Sequence, residues 1–301
     1  MDVLSDVLAV MRTGRPVSAR AAWRGPFGQR FATVRGSAGF QVVLQGTCWL
    51  IAPDAEPTPL GPGDVVFMPH GRGHALASSP DMELAECGAG SPQAAEGPVT
   101  ATLCGAYQLD PTRAHPLLRS LPELIHLPAR LGRHQDLRAA IDLLAAELDR
   151  PRLGTDALIP ALLETLLLYL LRAWFDDQPP ETGWAAALND TPVAAALQAI
   201  HRDPARPWTV ASLAAEAGLS RAPFARRFAE LAGRPPLTYL TWWRMVIAAG
   251  MLRDTSAPLT AIAGKVGYAS EFAFAHAFKR VYGMPPGRFR ASHTGRVSDV
   301  P

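Results

Sequence analysis

Hydrophobic positions along the chain change period twice, and each change marks a different kind of structure. Near the start, Val3, Leu4, Val7, Leu8 and Met11 recur every three to four residues, which predicts a short amphipathic helix over 2–12. From Ser18 to about Ser78 that period is lost. Short apolar runs at 31–35, 40–45, 47–52, 65–68 and 74–77, punctuated by Gly and Pro, read as strands. The small residues of 79–98 predict a mobile loop, and 101–109 a returning strand. Two strongly apolar helices follow at 136–148 and 155–175. The polar, proline-bearing stretch 176–191 reads as a linker, and from Pro192 onward the pattern is helical.

A chain of 301 residues with 48% hydrophobic side chains has material for two cores, which excludes a disordered or disulfide-stapled protein. Cys48, Cys87 and Cys104 are odd in number and widely spaced, so no disulfide framework is expected and the chain is read as cytoplasmic. Asp2 and Asp6 stand where a secretory signal carries Lys or Arg. The most apolar stretch, 157–175, contains Pro160, Glu164 and Arg172, so it reads as a buried or dimer-facing helix and no membrane partner is expected. Charge is split unevenly. Residues 1–192 carry 15 basic and 21 acidic side chains, a net of −6, whereas 193–301 carry 14 and 6, a net of +8. A compact basic end is the footprint of a domain that binds a polyanion.

That basic end contains a repeat. Ser220, Phe224, Phe228, Gly233, Pro235 and Pro236 recur 50 residues on as Ser270, Phe274, Phe278, Gly283, Pro285 and Pro286, while Leu213, Ala214 and Gly218 recur 49 on as Ile262, Ala263 and Gly267. Each copy follows helix-turn-helix logic: a small Ala lets two helices cross closely, a Gly ends the first, a Ser caps the second, and paired Phe residues bury one face. Residues 237–252 form a helix between the copies. The outward positions of the second helices are then the candidate DNA readers: Arg221, Ala222, Ala225, Arg226 and Arg227 in the first, and Ser270, Glu271, Phe272, Ala273, Ala275, His276 and Lys279 in the second. Arginine reads guanine, and small side chains admit base edges or thymine methyls. Two such helices on one body suit major-groove segments about one turn, roughly 34 Å, apart.

The stretches WTVASLAAEAGLSRAPFARRFAELAGRPP and PLTAIAGKVGYASEFAFAHAFKRVYGMPPGRFR resemble the DNA-binding domain of the AraC/XylS family of bacterial transcription regulators. The resemblance implies double-stranded DNA as partner, an extended asymmetric site, contact with RNA polymerase, and no enzymatic activity. It implies base reading by Ala222, Ala225 and Arg226, and by Glu271, Phe272, Ala273, Ala275 and His276.

In the first half, Gly63-Asp64 followed by an apolar run, then Pro69, Gly71 and His74, resembles the second motif of cupin barrels. With an earlier strand at 40–46, the region resembles the cupin-type sensor domain found in one branch of the same family. Gln41 and Val43 stand where a metal-binding cupin carries histidines. No metal or other cofactor is therefore expected, since a first-row metal takes three or more ligands. The expected site is a pocket for an unidentified small apolar or aromatic effector near Gln41, Trp49, Phe67 and His74. A second candidate signal is oxidation of Cys48, Cys87 or Cys104, of which Cys87 borders the predicted loop.

The fold expected is thus α+β and multidomain: a cupin-like β-barrel sensor at 1–130, a helical connector forming a homodimer at 131–178, a linker at 179–192, an all-α domain with two helix-turn-helix motifs at 193–292, and a flexible tail at 293–301. The function expected is sequence-specific transcriptional regulation under effector control. The competing reading is a cupin-type metalloenzyme, an oxygenase or isomerase, with a helical interaction tail.

Overall fold

The computed structural model of the chain describes residues 2–11, 14–87, 97–109, 115–178 and 183–294. The chain divides into two compact units, Met11–Gln178 and a second made of Met1–Val10 with Pro179–Pro301. The connector helices belong with the strands, and the N-terminal helix belongs with the helical unit.

The first unit holds ten strands: β1 Val17–Arg24, β2 Gly28–Phe31, β3 Ser37–Gln45, β4 Cys48–Ile51, β5 Thr58–Leu60, β6 Val65–Met68, β7 His74–Ala77, β8 Ala85–Glu86, β9 Val99–Gln108 and β10 Ile125–Leu127. They form two five-stranded sheets, ordered β1-β9-β3-β6-β10 and β5-β4-β7-β2-β8. Among the described residues no closed barrel forms; the cupin region is a sandwich of two sheets. Its core joins Trp23, Val43, Val66 and Met68 of one sheet to Cys48, Leu50, Leu60 and Leu76 of the other. Strand alternation puts Phe40, Phe67 and Tyr107 on the opposite face of the first sheet, where they are also buried.

That second face lies beneath α3 Gln135–Asp149 and α4 Thr155–Asp177, after the single turn α2 Pro116–Arg119. The Tyr107 hydroxyl donates to the Leu163 carbonyl at 2.8 Å, and Arg20 of β1 pairs with Asp149. Helix α4 is long and apolar enough to cross a membrane by length and composition. Leu163, Leu166, Leu167, Leu170 and Leu171 are nevertheless buried within this unit. Of the predicted loop, residues 88–96 lie outside the described residues, and 79–87 contain a turn and β8.

The helical unit comprises α1 Val3–Met11 and eight later helices: α5 Gly183–Asn189, α6 Thr191–Arg202, α7 Val210–Glu216, α8 Arg221–Ala232, α9 Pro236–Asp254, α10 Leu259–Lys265, α11 Glu271–Tyr282 and α12 Pro286–Thr294. Much of the predicted linker is thus helical. Trp184, Ala185, Ala186 and Ala187 of α5 are buried, and an apolar face outweighs the proline-rich flank that suggested irregular chain. Of the predicted tail, 295–301 lie outside the described residues. Helix α1 joins this unit through a buried Asp6, whose Oδ2 is 3.4 Å from His201 Nδ1. His201 Nε2 lies 2.7 Å from the Tyr239 hydroxyl, and its ring stacks on Trp243 at 4.1 Å. Burial pushes the His201 pKa down, with Asp6 opposing it.

Candidate DNA-reading helices and sensor cavity

Each helix-turn-helix copy is built by the same local rules around its own apolar core. Leu213 and Ala214 of α7, with Phe224 and Phe228 of α8, are fully or almost fully buried. The first copy starts at a capping box, in which the Thr209 hydroxyl accepts from Ser212 N at 3.0 Å and Ser212 Oγ accepts from Thr209 N at 2.9 Å. Ile262, Ala263, Phe274 and Phe278 repeat the arrangement, with Phe289 of α12 closing the second core. Helix α9 runs between the copies, and its Arg244 guanidinium donates to the carbonyls of Pro204, at 2.6 Å, and Arg206, at 2.8 Å.

The turn glycines carry positive φ, +65° at Gly218 and +78° at Gly267. Both allow the chain to leave one helix and enter the next in a conformation that costs L-residues about 1–2 kcal/mol. At Gly267 space is limiting as well, because a Cβ there would stand 2.4 Å from the Ala205 carbonyl oxygen.

On α8, Arg221, Ala222, Arg226 and Arg227 are exposed and Ala225 is half-buried. Arg227 differs from its neighbours. Its Nε donates to Asp190 Oδ2 at 2.7 Å, and a second donor from the same guanidinium also reaches that oxygen. Asp190 is the N-cap of α6, accepting from Val193 N at 3.0 Å, so Arg227 anchors α8 to α6 instead of projecting a free charge. Among the described residues Arg221 and Arg226 make no salt bridge. On α11, Glu271, Phe272, Ala273, His276 and Lys279 are exposed and Ala275 is half-buried. Phe272 is 83% exposed, in contrast to the buried Phe274 two residues on. Ser270 is committed to its own helix, its hydroxyl accepting from Ala273 N at 3.2 Å.

The sandwich unit contains a cavity of about 310 Å³ at one end of the space between its sheets, lined by Phe31, Gln41, Met68, His74, Cys87 and Cys104 among others. Gln41 and His74, predicted together, do meet: Gln41 Nε2 is 3.1 Å from His74 Nε2. Trp49 and Phe67 are not part of this wall. Trp49 is half-buried opposite Ala77, and Phe67 pairs with Phe40 on the helix-covered face. Phe31, stacked on the His74 ring at 4.8 Å, takes the aromatic place assigned to them. Burial lowers the His74 pKa to about 4, against an opposing contact with the Arg72 backbone, so the ring is neutral at physiological pH.

The cysteines separate by environment. Burial, and next the charge of Asp64, push the Cys48 thiol up to about 12, which leaves it an inert core group. Burial also raises the Cys104 thiol, which donates to the Ala19 carbonyl at 3.4 Å. Cys87 is exposed. Among the described residues no three His, Cys, Asp or Glu side chains cluster to hold a metal ion.

A duplicated helix-turn-helix with basic outward positions, carried beside a separate sandwich unit, defines a DNA-binding protein of two-domain regulatory type. Comparison with known proteins agrees. Residues 2–176 match a family model described as Cupin, and residues 213–292 one described as Helix-turn-helix domain. The chain is 36% identical over 303 residues to a Streptomyces lividans protein named as an AraC-like transcription regulator, covering 98% of this chain and 99% of that one. It is 32% identical to the RCS-specific transcriptional activator RclR of Escherichia coli K12, covering 96% and 97%. A solved DNA-binding domain, that of AdpA in complex with a target DNA, aligns at 30% identity over 37% of this chain and 99% of that one, with a TM-score of 0.35. The chain belongs to the AraC family of DNA-binding transcription regulators and carries a cupin-type N-terminal domain.

Proposed function

We propose that α8 and α11 read successive major-groove segments of one asymmetric operator, and that a small molecule bound in the sandwich unit controls this binding in the cytoplasm. The observation that carries the reading is the pair of exposed helices, each with one face buried, in two equivalent helix-turn-helix copies joined by α9. Ala222, Ala225 and Arg226 contact base edges in the first segment. Glu271, Phe272, Ala273, Ala275 and His276 do so in the second, with Arg221 and Lys279 on phosphates. Arg227 and Ser270 position their helices.

Footprinting of the chain on the DNA upstream of its own gene tests this. Protection of two adjacent major grooves is expected, with affinity falling steeply as salt rises. Arg226→Ala should weaken specific binding by roughly 1–3 kcal/mol and relax one base position. Unchanged affinity and specificity would remove α8 as a reader. Transcription in vitro with purified RNA polymerase decides whether the bound chain recruits it.

Self-association is the second part of the proposal. Leu143 and Leu158, on α3 and α4, are 59% and 46% exposed although the remaining leucines of α4 are mostly buried. A second copy covers them in this reading. Sedimentation of wild type against a Leu143→Glu/Leu158→Glu chain should show a dimer lost, and a wild-type monomer at every concentration, with and without DNA, would refute it.

Thiol chemistry is a competing signal, favoured by one observation: exposed Cys87 and Cys104 border the same cavity. Cys87→Ser abolishes an oxidant response under this reading and leaves a small-molecule response intact.

A further inference from the structure

The cavity between the sheets is mainly apolar, with Ser18, Ser37 and Arg72 at its wall, and it holds one buried polar pair that is incompletely bonded. Gln41 is 3% and His74 8% exposed, each on an inner-facing position of its strand. One hydrogen bond joins them, from amide to ring. The Gln41 Oε1 oxygen and the His74 Nδ1 nitrogen have no hydrogen-bond partner among the described residues. Leaving a buried polar atom unpaired is costly, so both atoms mark where something else belongs.

The direction of the missing bond follows from the ring. The Gln41 amide nitrogen can only donate, which places the ring proton of His74 on Nδ1. His74 Nε2 is then an acceptor, the Gln41 amide donates to it, and Gln41 Oε1 is left as a bare acceptor pointing into an apolar space. Among the described residues that line the cavity, none supplies a free positive charge. The cation on the cavity wall, Arg72, donates to Asp54 Oδ2 at 2.8 Å and to the Pro53 carbonyl at 2.7 Å. A carboxylate would meet an acceptor and an already engaged guanidinium; a hydrocarbon would leave the oxygen bare. With a volume of about 310 Å³, the space is at the small end of ligand sites.

We propose that this cavity takes a small, neutral, largely apolar phenol or alcohol whose hydroxyl donates to Gln41 Oε1 beside His74. The ring or chain of the ligand lies against Phe31 and Met68. The proposal rests on the reading of the sandwich unit as a small-molecule sensor and names its ligand class.

Three matched probes test it on the full chain by calorimetric titration: 4-propylphenol, its methyl ether 4-propylanisole, and 4-propylbenzoate at pH 7.5. The phenol should bind at least tenfold tighter than either analogue, because only it donates a hydrogen bond without bringing a charge. Gln41→Leu should reduce phenol affinity to that of the ether and leave the ether unchanged; retained ether binding shows that the variant is folded. Equal affinity of phenol and ether, or tightest binding of the benzoate, overturns the hydroxyl assignment while leaving a sensor cavity in place. Binding of none of the three overturns it as well, and assigns the bare acceptor to water. A phenol that binds as expected but leaves the footprint on DNA unchanged preserves the ligand class and removes the sensor reading instead.

Discussion

In the first helix-turn-helix copy the turn glycine needs only its backbone angle: Gly218 has φ +65° and open space where a Cβ would sit. In the second, Gly267 has φ +78° and lies against the Ala205 backbone and the Arg244 guanidinium. The reading helices diverge as well. Helix α8 presents arginines, one of them tied back to Asp190, whereas α11 presents an exposed phenylalanine between Glu271 and His276. Duplication preserved the frame and let the surroundings differ. Equivalent positions therefore differ in structural role and in the side chains they present.

The largest expected contrast is at the glycines. Gly267→Ala should destabilise α10 and α11 by about 2–5 kcal/mol, combining a left-handed backbone with an overpacked contact. Gly218→Ala should cost about 1–2 kcal/mol from the backbone alone. Amide hydrogen exchange of α8 and α11 in the two variants separates local from global loss. Equal losses would mean that the Ala205 loop moves away without resistance.

A smaller contrast concerns what each helix reads. If Phe272 packs on a thymine methyl, replacing the thymines of the second half-site by uracils should cost wild type about 0.8 kcal/mol per contacted methyl and cost Phe272→Ala almost nothing more. Uracils in the first half-site should matter less, because the reader proposed there is Arg226, which makes no methyl contact through its guanidinium. Gel-shift titrations on the two modified operators measure both numbers. A methyl effect confined to the first half-site would reverse the assignment of the two helices.

The helix-turn-helix copies were legible because their signals are local: turn glycines, serine caps and i, i+4 phenylalanines act within one or two turns. The strands at 65–68 and 74–77 were equally plain, being short apolar runs between turns. Strand β1 was not singled out, since only Trp23 among its eight residues is fully buried and the alternation is blurred. The cavity was half legible. Gln41 and His74 meet across 33 residues, whereas Phe67 lies on the other face, because one step along a strand reverses the side. No local pattern announces that α1 packs with the helical unit. That contact joins Asp6 to His201, and sequence separation hides it.

The smallest contrast is at the caps, where the two serines look alike in sequence. Ser270 accepts from Ala273 N, the third residue of α11, whereas Ser220 makes no side-chain cap bond. The reason is on the same line of sequence: the third residue of α8 is Pro223, which has no N–H to offer. Ser270→Ala should therefore cost about 1 kcal/mol of stability, and Ser220→Ala clearly less. Pro223→Ala restores the missing donor. In that background the cost of Ser220→Ala should rise toward that of Ser270→Ala, giving a coupling of about 0.5–1 kcal/mol in a double-mutant cycle. A cycle with no coupling would show that the backbone at Ser220, with φ −75° against −143° at Ser270, keeps the hydroxyl from the helix whether or not an N–H is present.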